Sequence, residues 1–397
     1  MTTFDEHEFR HRIREFIAAN APDIPYRVGT RSPDDEHESK ILRQWSSQLY
    51  EAGFFGADWP EEFGGAEYHA VEEMLVTEEL AKARAPVPIG AGALAAHALL
   101  HFGTRDQQQT YLPKIRSYEH VWCQLFSEPD AGSDLASMRT SATRDGDHYV
   151  VNGQKVWSTN AAFSDMGYLL ARTDPTAAKH AGISAFALDM STPGITVRPL
   201  REMTGTSDFN EVFLDDVVVP AGALLGNENN GWHIATTSLA SERAGVGALV
   251  IRLRQNLDAL IAFARATPRG DGTVADDPII RQRLADAHAR VEVATWMSEA
   301  SVARRLSNIF NESDVPLTKL GFAVLNQDLS YLGIEIQGMR GTLATDDPDA
   351  LDHGHWQDEF LYAKAYTISG GSDQIMRNLL GERALGLPRE PKPATKG

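Results

Sequence analysis

The sequence predicts a mainly α-helical chain with a β domain set into its middle. Three observations point there. Apolar residues recur at helical spacing up to about residue 118, short β-rich runs replace them between about 120 and 220, and helical spacing returns beyond Asn230. The expected division is an N-terminal helical domain over 1–119, a middle antiparallel β-barrel or sandwich over 120–228, and a C-terminal four-helix bundle over 229–397. A chain of 397 residues is long enough to fill two or three such cores.

In the first domain Phe9, Ile13, Phe16 and Ile17 fall on one helical face, as do Ile41, Leu42, Trp45 and Leu49 before Gly53. Val71, Met74, Leu75 and Leu80 make a third face. The polar tract GTRSPDDEHES reads as a surface loop, and ADWPEEFGG (57–65) as a second one, stiff at Pro60 and permissive at Gly64-Gly65. In the β segment, Asp145-Gly146 and Asn152-Gly153 are hairpin signals flanking DHYVV, and GYLLART, ISAFALD, ITVRP and EVFLDDVVVP follow as strands. The last domain opens with the apolar stripe Val246, Leu249, Val250, Leu253, Leu257, Leu260 and Ile261. Ile280, Leu284, Ala287 and Val291 begin a second helix, and further helices are expected over about 315–337 and 356–385.

A net charge of −18 argues against general nucleic-acid or anionic-membrane binding, though a few local cations could still hold a phosphate-bearing ligand. The single cysteine, Cys123, excludes an internal disulfide framework and a Cys-rich metal site, and the histidines show no HExxH-type spacing. The first residues carry acids without an apolar core, and no apolar run approaches a membrane span. A cytoplasmic protein is the expectation.

Three segments could carry chemistry. FSEPDAGSD (126–134) is a turn rich in small residues, able to hold a heterocycle or phosphate or to be a plain Asx/Ser turn. In KVWSTNA (155–161), Trp157 follows a strand directly and is either a core residue or a stacking platform. In TSLASERAGVGALV (237–250), helical spacing puts Glu242 on the apolar face with Leu239, Val246 and Leu249. A carboxylate there is a buried partner of Arg243, an edge residue reaching water, or a base with a raised pKa. Gly245 and Gly247, one turn on, leave room for a ligand.

Along the chain, WPEEFGG, YLPKI, SEPDAGSDLASMRTSA, NGQKVWSTNA, FNEVFLDDVVVP, GNENNGWHIATTSLASERAGVG and GGSDQIMRNLLGERALGLPR follow in an order that resembles the acyl-CoA dehydrogenases over essentially the whole chain. The resemblance implies α,β-desaturation of an acyl-CoA thioester, a carboxylate taking the α-proton while the β-hydrogen leaves as hydride to N5 of FAD. It also implies a tetramer and an electron-transferring flavoprotein as acceptor. By position, Gln124, Phe126, Ser127, Gly132 and Ser133 would line FAD, with Ser133 also meeting the CoA arm. Trp157, Ser158 and Thr159 would cover and bond its ring, Ser372 and Gln374 would contact it from the last helix, and Gly338 would lie in the adenine-holding stretch. Arg243 and Gly371 would face substrate.

Many members carry the base at the position that here is Gly370, which retains only its backbone N–H for the thioester oxygen. Isovaleryl- and long-chain acyl-CoA dehydrogenases place it in a helical Glu-Arg pair, here Glu242-Arg243, so the resemblance makes Glu242 the base, with Asp373 and Glu382 as the carboxylates to consider next. Two stretches depart from the family: RATPRGDGTVADDP (265–278) replaces Arg-x-x-Phe-Gly, and EIQGMRG (335–341) blurs Gln-x-x-Gly-Gly. Both departures resemble bacterial α2β2 members that act on steroid-derived or other bulky CoA thioesters. The alternatives are a non-catalytic or half-site subunit of such a heteromer, or an acyl-CoA oxidase.

Overall fold

The computed structural model describes residues 4–25, 27–29, 32–66, 72–241, 246–307, 309, 311, 313–345 and 347–389. They form two compact units, Met1–Ala244 and Gly245–Gly397.

The first unit opens with five helices: α1 (Glu6–Asn20), α2 (Glu36–Glu51), α3 (Glu72–Ala83), α4 (Gly92–Phe102) and α5 (Arg105–Arg116). Side-chain caps fix the starts of α1, α2 and α5. Asp5 accepts from Glu8 N, Asp35 from Glu38 N, and Thr104 with Gln107 forms a reciprocal capping box. The end of the polar tract expected as loop is therefore helix, because Asp35 caps α2 and the acids after it sit at the favourable end of the helix dipole. Phe9, Ile13, Ile17, Leu42, Trp45, Leu49, Leu75 and Leu80 are buried in one core, as their spacing predicts.

That core also takes in one face of a sheet. Its strands are β1 (Trp122–Leu125), β2 (Ser141–Asp145), β3 (His148–Lys155), β4 (Met166–Arg172), β5 (Ile183–Asp189), β6 (Ile195–Leu200), β7 (Phe209–Pro220) and β8 (Leu224–Leu225). Their order is β6-β7-β3-β2-β4-β5-β8, with β1 also on β4. Tyr168 and Leu170 of β4 face the helices while Leu169 and Ala171 face a second core with Val151, Phe186 and Val217. Burial on both faces is why GYLLA is apolar throughout. Two pairings depart from the expected antiparallel order. β1 runs parallel to β4 over Trp122–Leu125, and β2 meets β4 parallel at Ser141↔Arg172. The chain thus leaves β4's edge at Leu125, makes the 126–140 loop and returns to the same edge as β2.

Asp145-Gly146 makes the expected hairpin between β2 and β3, with Gly146 at φ 61. Asn152-Gly153 does not turn. It is a bulge inside β3, where the register to β7 shifts, and a Cβ on Gly153 would come within 2.4 Å of Thr140 Oγ1. Helix α6 (Gly231–Ser241) closes this unit.

The second unit holds α7 (Val246–Ala266), a small hairpin β9 (Pro268–Arg269) and β10 (Gly272–Thr273), α8 (Pro278–Leu306), α9 (Asp314–Ile336), α10 (His355–Tyr362) and α11 (Asp373–Leu379). Leu253, Leu257, Leu260, Ile280, Leu284, Val291, Leu325, Leu329 and Trp356 share its core. Gly333 lets α9 approach the Trp356 ring, which a Cβ would meet at 2.4 Å. The fourth helix, expected as one piece over 356–385, is broken into α10, a 3-10 turn at Ala365–Thr367 and α11, with Gly370 and Gly371 at φ 63 and 91 between them. Among the described residues no helix is long and apolar enough to cross a membrane, and no group of three or more His, Cys, Asp or Glu could hold a metal.

Candidate active site

In the first unit the 126–134 loop leaves β1 and is held from beneath by two charges. Lys155, the last residue of β3, is fully buried, and its ammonium donates to Phe126 O at 3.1 Å and to Glu128 Oε1 at 2.8 Å. Glu128 also accepts from Arg139 N at 2.6 Å and Thr140 N at 2.9 Å. Burial pushes the Lys155 ammonium down to about 8 against the pull of Glu128. Burial acts to raise the Glu128 carboxyl, but the Lys155 charge and the Arg139 N–H outweigh it and hold it below its ordinary value. The two groups form a buried ion pair at 2.8 Å. The pattern at Lys155 was legible in part, since it ends an alternating strand on the inward phase; its partner was not.

Gln124 sits in β1, half-buried. The Phe126 ring is turned inward, edge-on to Tyr168 at 4.9 Å, so only its backbone is near the loop surface. Ser127 is half-buried, and its carbonyl accepts from Val156 N at 2.9 Å, which ties the loop to the residues after β3. Gly132 and Ser133 are exposed at the tip.

Beyond Val156 the chain turns sharply. Trp157 is at φ 61, uncommon for a bulky residue, and is 59% exposed, with its ring edge-on to Phe209 at 6.0 Å. Of the two sequence readings, core residue and stacking platform, the first does not hold, since the ring is exposed. Ser158 is 1% exposed; its N–H and carbonyl pair with Asn210. Its Oγ is buried without a hydrogen-bond partner among the described residues. Thr159 is half-buried beside it.

In the second unit Gly370 is exposed and a Cβ there would meet nothing within 4 Å, whereas one on Gly371 would strike Met376. Ser372 caps α11, its hydroxyl accepting from Ile375 N, and Gln374 is exposed. Asp373 is buried and takes a bond from Lys319 Nζ at 3.1 Å, so that carboxylate is engaged. Upstream, the fully buried Glu359 accepts from Arg252 Nη2 at 3.0 Å, and Arg252 Nη1 donates to the Tyr366 hydroxyl at 2.5 Å. The two stretches that depart from the expected pattern meet in one cavity of about 750 Å³, lined by Thr267, Arg269, Glu335, Gly338, Arg340 and Asp352 among others. Arg269 is tied to Asp277 at 2.8 Å. Glu242 and Arg243 lie outside the described residues.

The helical, β and helical regions in this order define a known class of flavoprotein dehydrogenase fold. The N-terminal, middle and C-terminal domain models of acyl-CoA dehydrogenase match residues 3–119, 123–217 and 229–385. The chain belongs to the acyl-CoA dehydrogenase family, oxidoreductases that act on CH–CH bonds. Within it, the chain is 37% identical to the acyl-CoA dehydrogenase IpdE1 of Mycobacterium tuberculosis, over 98% of this chain and 99% of that one. Among solved structures it is similar to the Tcur3481-Tcur3483 steroid ACAD, with a TM-score of 0.86, 29% identity, and 97% and 98% of the two chains covered. It is also similar to the ChsE4-ChsE5 complex from Mycobacterium tuberculosis, with a TM-score of 0.84, 30% identity, and 98% and 100% covered.

Proposed function

We propose that this chain carries out FAD-dependent α,β-dehydrogenation of an acyl-CoA thioester, with Glu242 taking the α-proton. The observation that carries the proposal is one sharp turn pairing an exposed Trp157 indole with a Ser158 hydroxyl that is buried and unpaired. A planar heterocycle stacked on the first and bonded by the second would satisfy both. These residues fit the ring of FAD, with Thr159 beside them and Ser127 and Gln124 on the adjoining loop and strand. FAD, when bound, supplies the acceptor for the hydride leaving the β-carbon.

The chain's own residues do the rest. Gly370, exposed and at a positive φ, offers its N–H to the thioester oxygen, where charge grows as the proton leaves. Ser133, at the loop tip, meets the CoA arm, and Arg243 and Gly371 face the acyl thioester. Ser372 keeps an O–H to donate although its oxygen is used in the cap, and Gln374 stands beside it. Asp373 is committed to Lys319 and Glu382 lies 3.4 Å from Arg389 Nε, which supports the resemblance's choice of Glu242 for the proton. Desolvation raises a carboxylate's pKa and improves it as a base toward a weakly acidic C–H.

The steroid ACAD likeness supports a bulky, steroid-derived acyl group, and the ChsE4-ChsE5 complex supports a heteromeric assembly, here a heterotetramer. An electron-transferring flavoprotein is the acceptor that the family resemblance implies. A second reading, a subunit that completes FAD only with a different partner chain, is favoured by Arg269, whose guanidinium is taken up by Asp277 at the edge of the second-unit cavity. Gly338 contributes to an adenine site there under the first reading. Purification decides between them: a yellow chain bleached by acyl-CoA supports the first, a colourless chain that gains colour only with a partner supports the second. Glu242→Gln is expected to keep FAD and ligand binding while slowing flavin reduction by about 10²- to 10⁴-fold. Reduction at the parental rate would exclude Glu242 as the base.

A further inference from the structure

Neither Glu128 nor Lys155 belongs to the residues assigned to cofactor or substrate, yet together they join three segments that border the proposed flavin site. We infer that this buried pair is a positioning device that sets the flavin-facing loop before the cofactor arrives; the inference rests on the reading of Trp157 and Ser158 given above. Lys155 ends β3, directly before the residues that carry Trp157 and Ser158, and its ammonium holds Phe126 O and Glu128 at the loop's entry. Glu128 holds the loop's exit through the N–H groups of Arg139 and Thr140. Glu128 and Ala131 close the turn between them with reciprocal backbone bonds of 3.1 and 3.0 Å. The Val156 N–H then fixes Ser127 against the strand end.

Stability alone does not require charges here, because apolar residues of similar volume often serve as well as a buried ion pair. What the pair adds is position. An ammonium with set acceptors and a carboxylate with set donors leave the loop one arrangement, whereas apolar packing tolerates a slip. Ser127 and Ser158 are thereby held at a fixed separation.

The test compares Lys155→Met, Glu128→Gln and the double variant with the parent, as full chains in the assembly that takes up FAD. Two quantities are read: the thermal midpoint of the FAD-free protein, and FAD affinity from flavin fluorescence. Each single variant is expected to lower the midpoint. The double variant is expected to regain most of it while binding FAD at least about tenfold more weakly, with an altered flavin absorbance band. A double variant that recovers both stability and FAD affinity overturns the inference. If the variants do not fold, hydrogen exchange on the FAD-free parent decides. Slow exchange at Arg139, Thr140 and Val156 before any flavin is added supports a preset loop, and exchange that slows only after FAD addition overturns it. A parent that takes up no FAD in any assembly, with those amides already protected, fails the flavin reading and not the preset geometry.

Discussion

Glu73, on α3, has its carboxyl pushed up from the ordinary 4.5 to about 7, by burial first and then by the nearby Asp58 carboxylate. Between those two pH values the folded chain holds a proton there that the unfolded chain has lost. Stability contributed by this group therefore falls as pH rises from about 4.5 to 7. Glu73→Gln is expected to raise the unfolding free energy from urea titration at pH 8 by about 1–2 kcal/mol after allowing for partial exposure, and to change it little at pH 4.5. A variant no more stable than the parent at pH 8 would reject this. Trp157 poses the converse case, an exposed side chain at a backbone angle that suits glycine. Trp157→Gly relieves that angle and loses the Phe209 contact, so FAD-free stability should stay within about 1 kcal/mol while FAD affinity falls at least tenfold. Unchanged affinity would end its role as a platform. The sequence placed Trp157 after a strand but could not say which way it faced, because a φ of 61 reverses the alternation that strand residues obey.

At the scale of elements, α10 is joined to α7 by a buried pair that the apolar spacing did not reveal. Arg252 lies between the stripe residues Leu249 and Leu253, where a periodic reading sees only the next polar face, yet it reaches the fully buried Glu359 of α10 and the Tyr366 hydroxyl. Arg252→Met strands the Glu359 charge and is expected to destabilise the chain by about 3–5 kcal/mol in denaturant titration; restoring an uncharged partner with Glu359→Gln should recover much of it. A single variant within about 1 kcal/mol of the parent would show the pair to be dispensable. Helix periods were legible wherever a stripe met a core, as at Leu253, Leu257 and Leu260. Two breaks were not. Asn152-Gly153 has the composition of a turn and became a bulge because Thr140 packs against the glycine, and the expected last helix was divided by Gly370 and Gly371.

At the scale of the molecule, the second unit presents an apolar surface beyond what its own core uses. Ile279, Val293, Trp296 and Met297 of α8 are exposed, Trp296 to 62%, and Leu317, Val324 and Tyr331 recur every seven residues on α9. Such a face suits a subunit contact in the proposed tetramer. Val293→Glu with Trp296→Glu is expected to lower the mass seen by light scattering to half or less of the parent's, with the helical circular dichroism signal unchanged. A parental mass would remove this face from the assembly. The sequence by itself determined the family, the α–β–α order and the cores, because these depend on residue type and spacing along the chain. Only tertiary structure decided that Lys155 is buried against Glu128, that Trp157 stands out while Phe126 turns in, and that residues 267–269 and 335–340 line one cavity. Those outcomes depend on which distant segments meet, and a local pattern holds no record of distance across the fold.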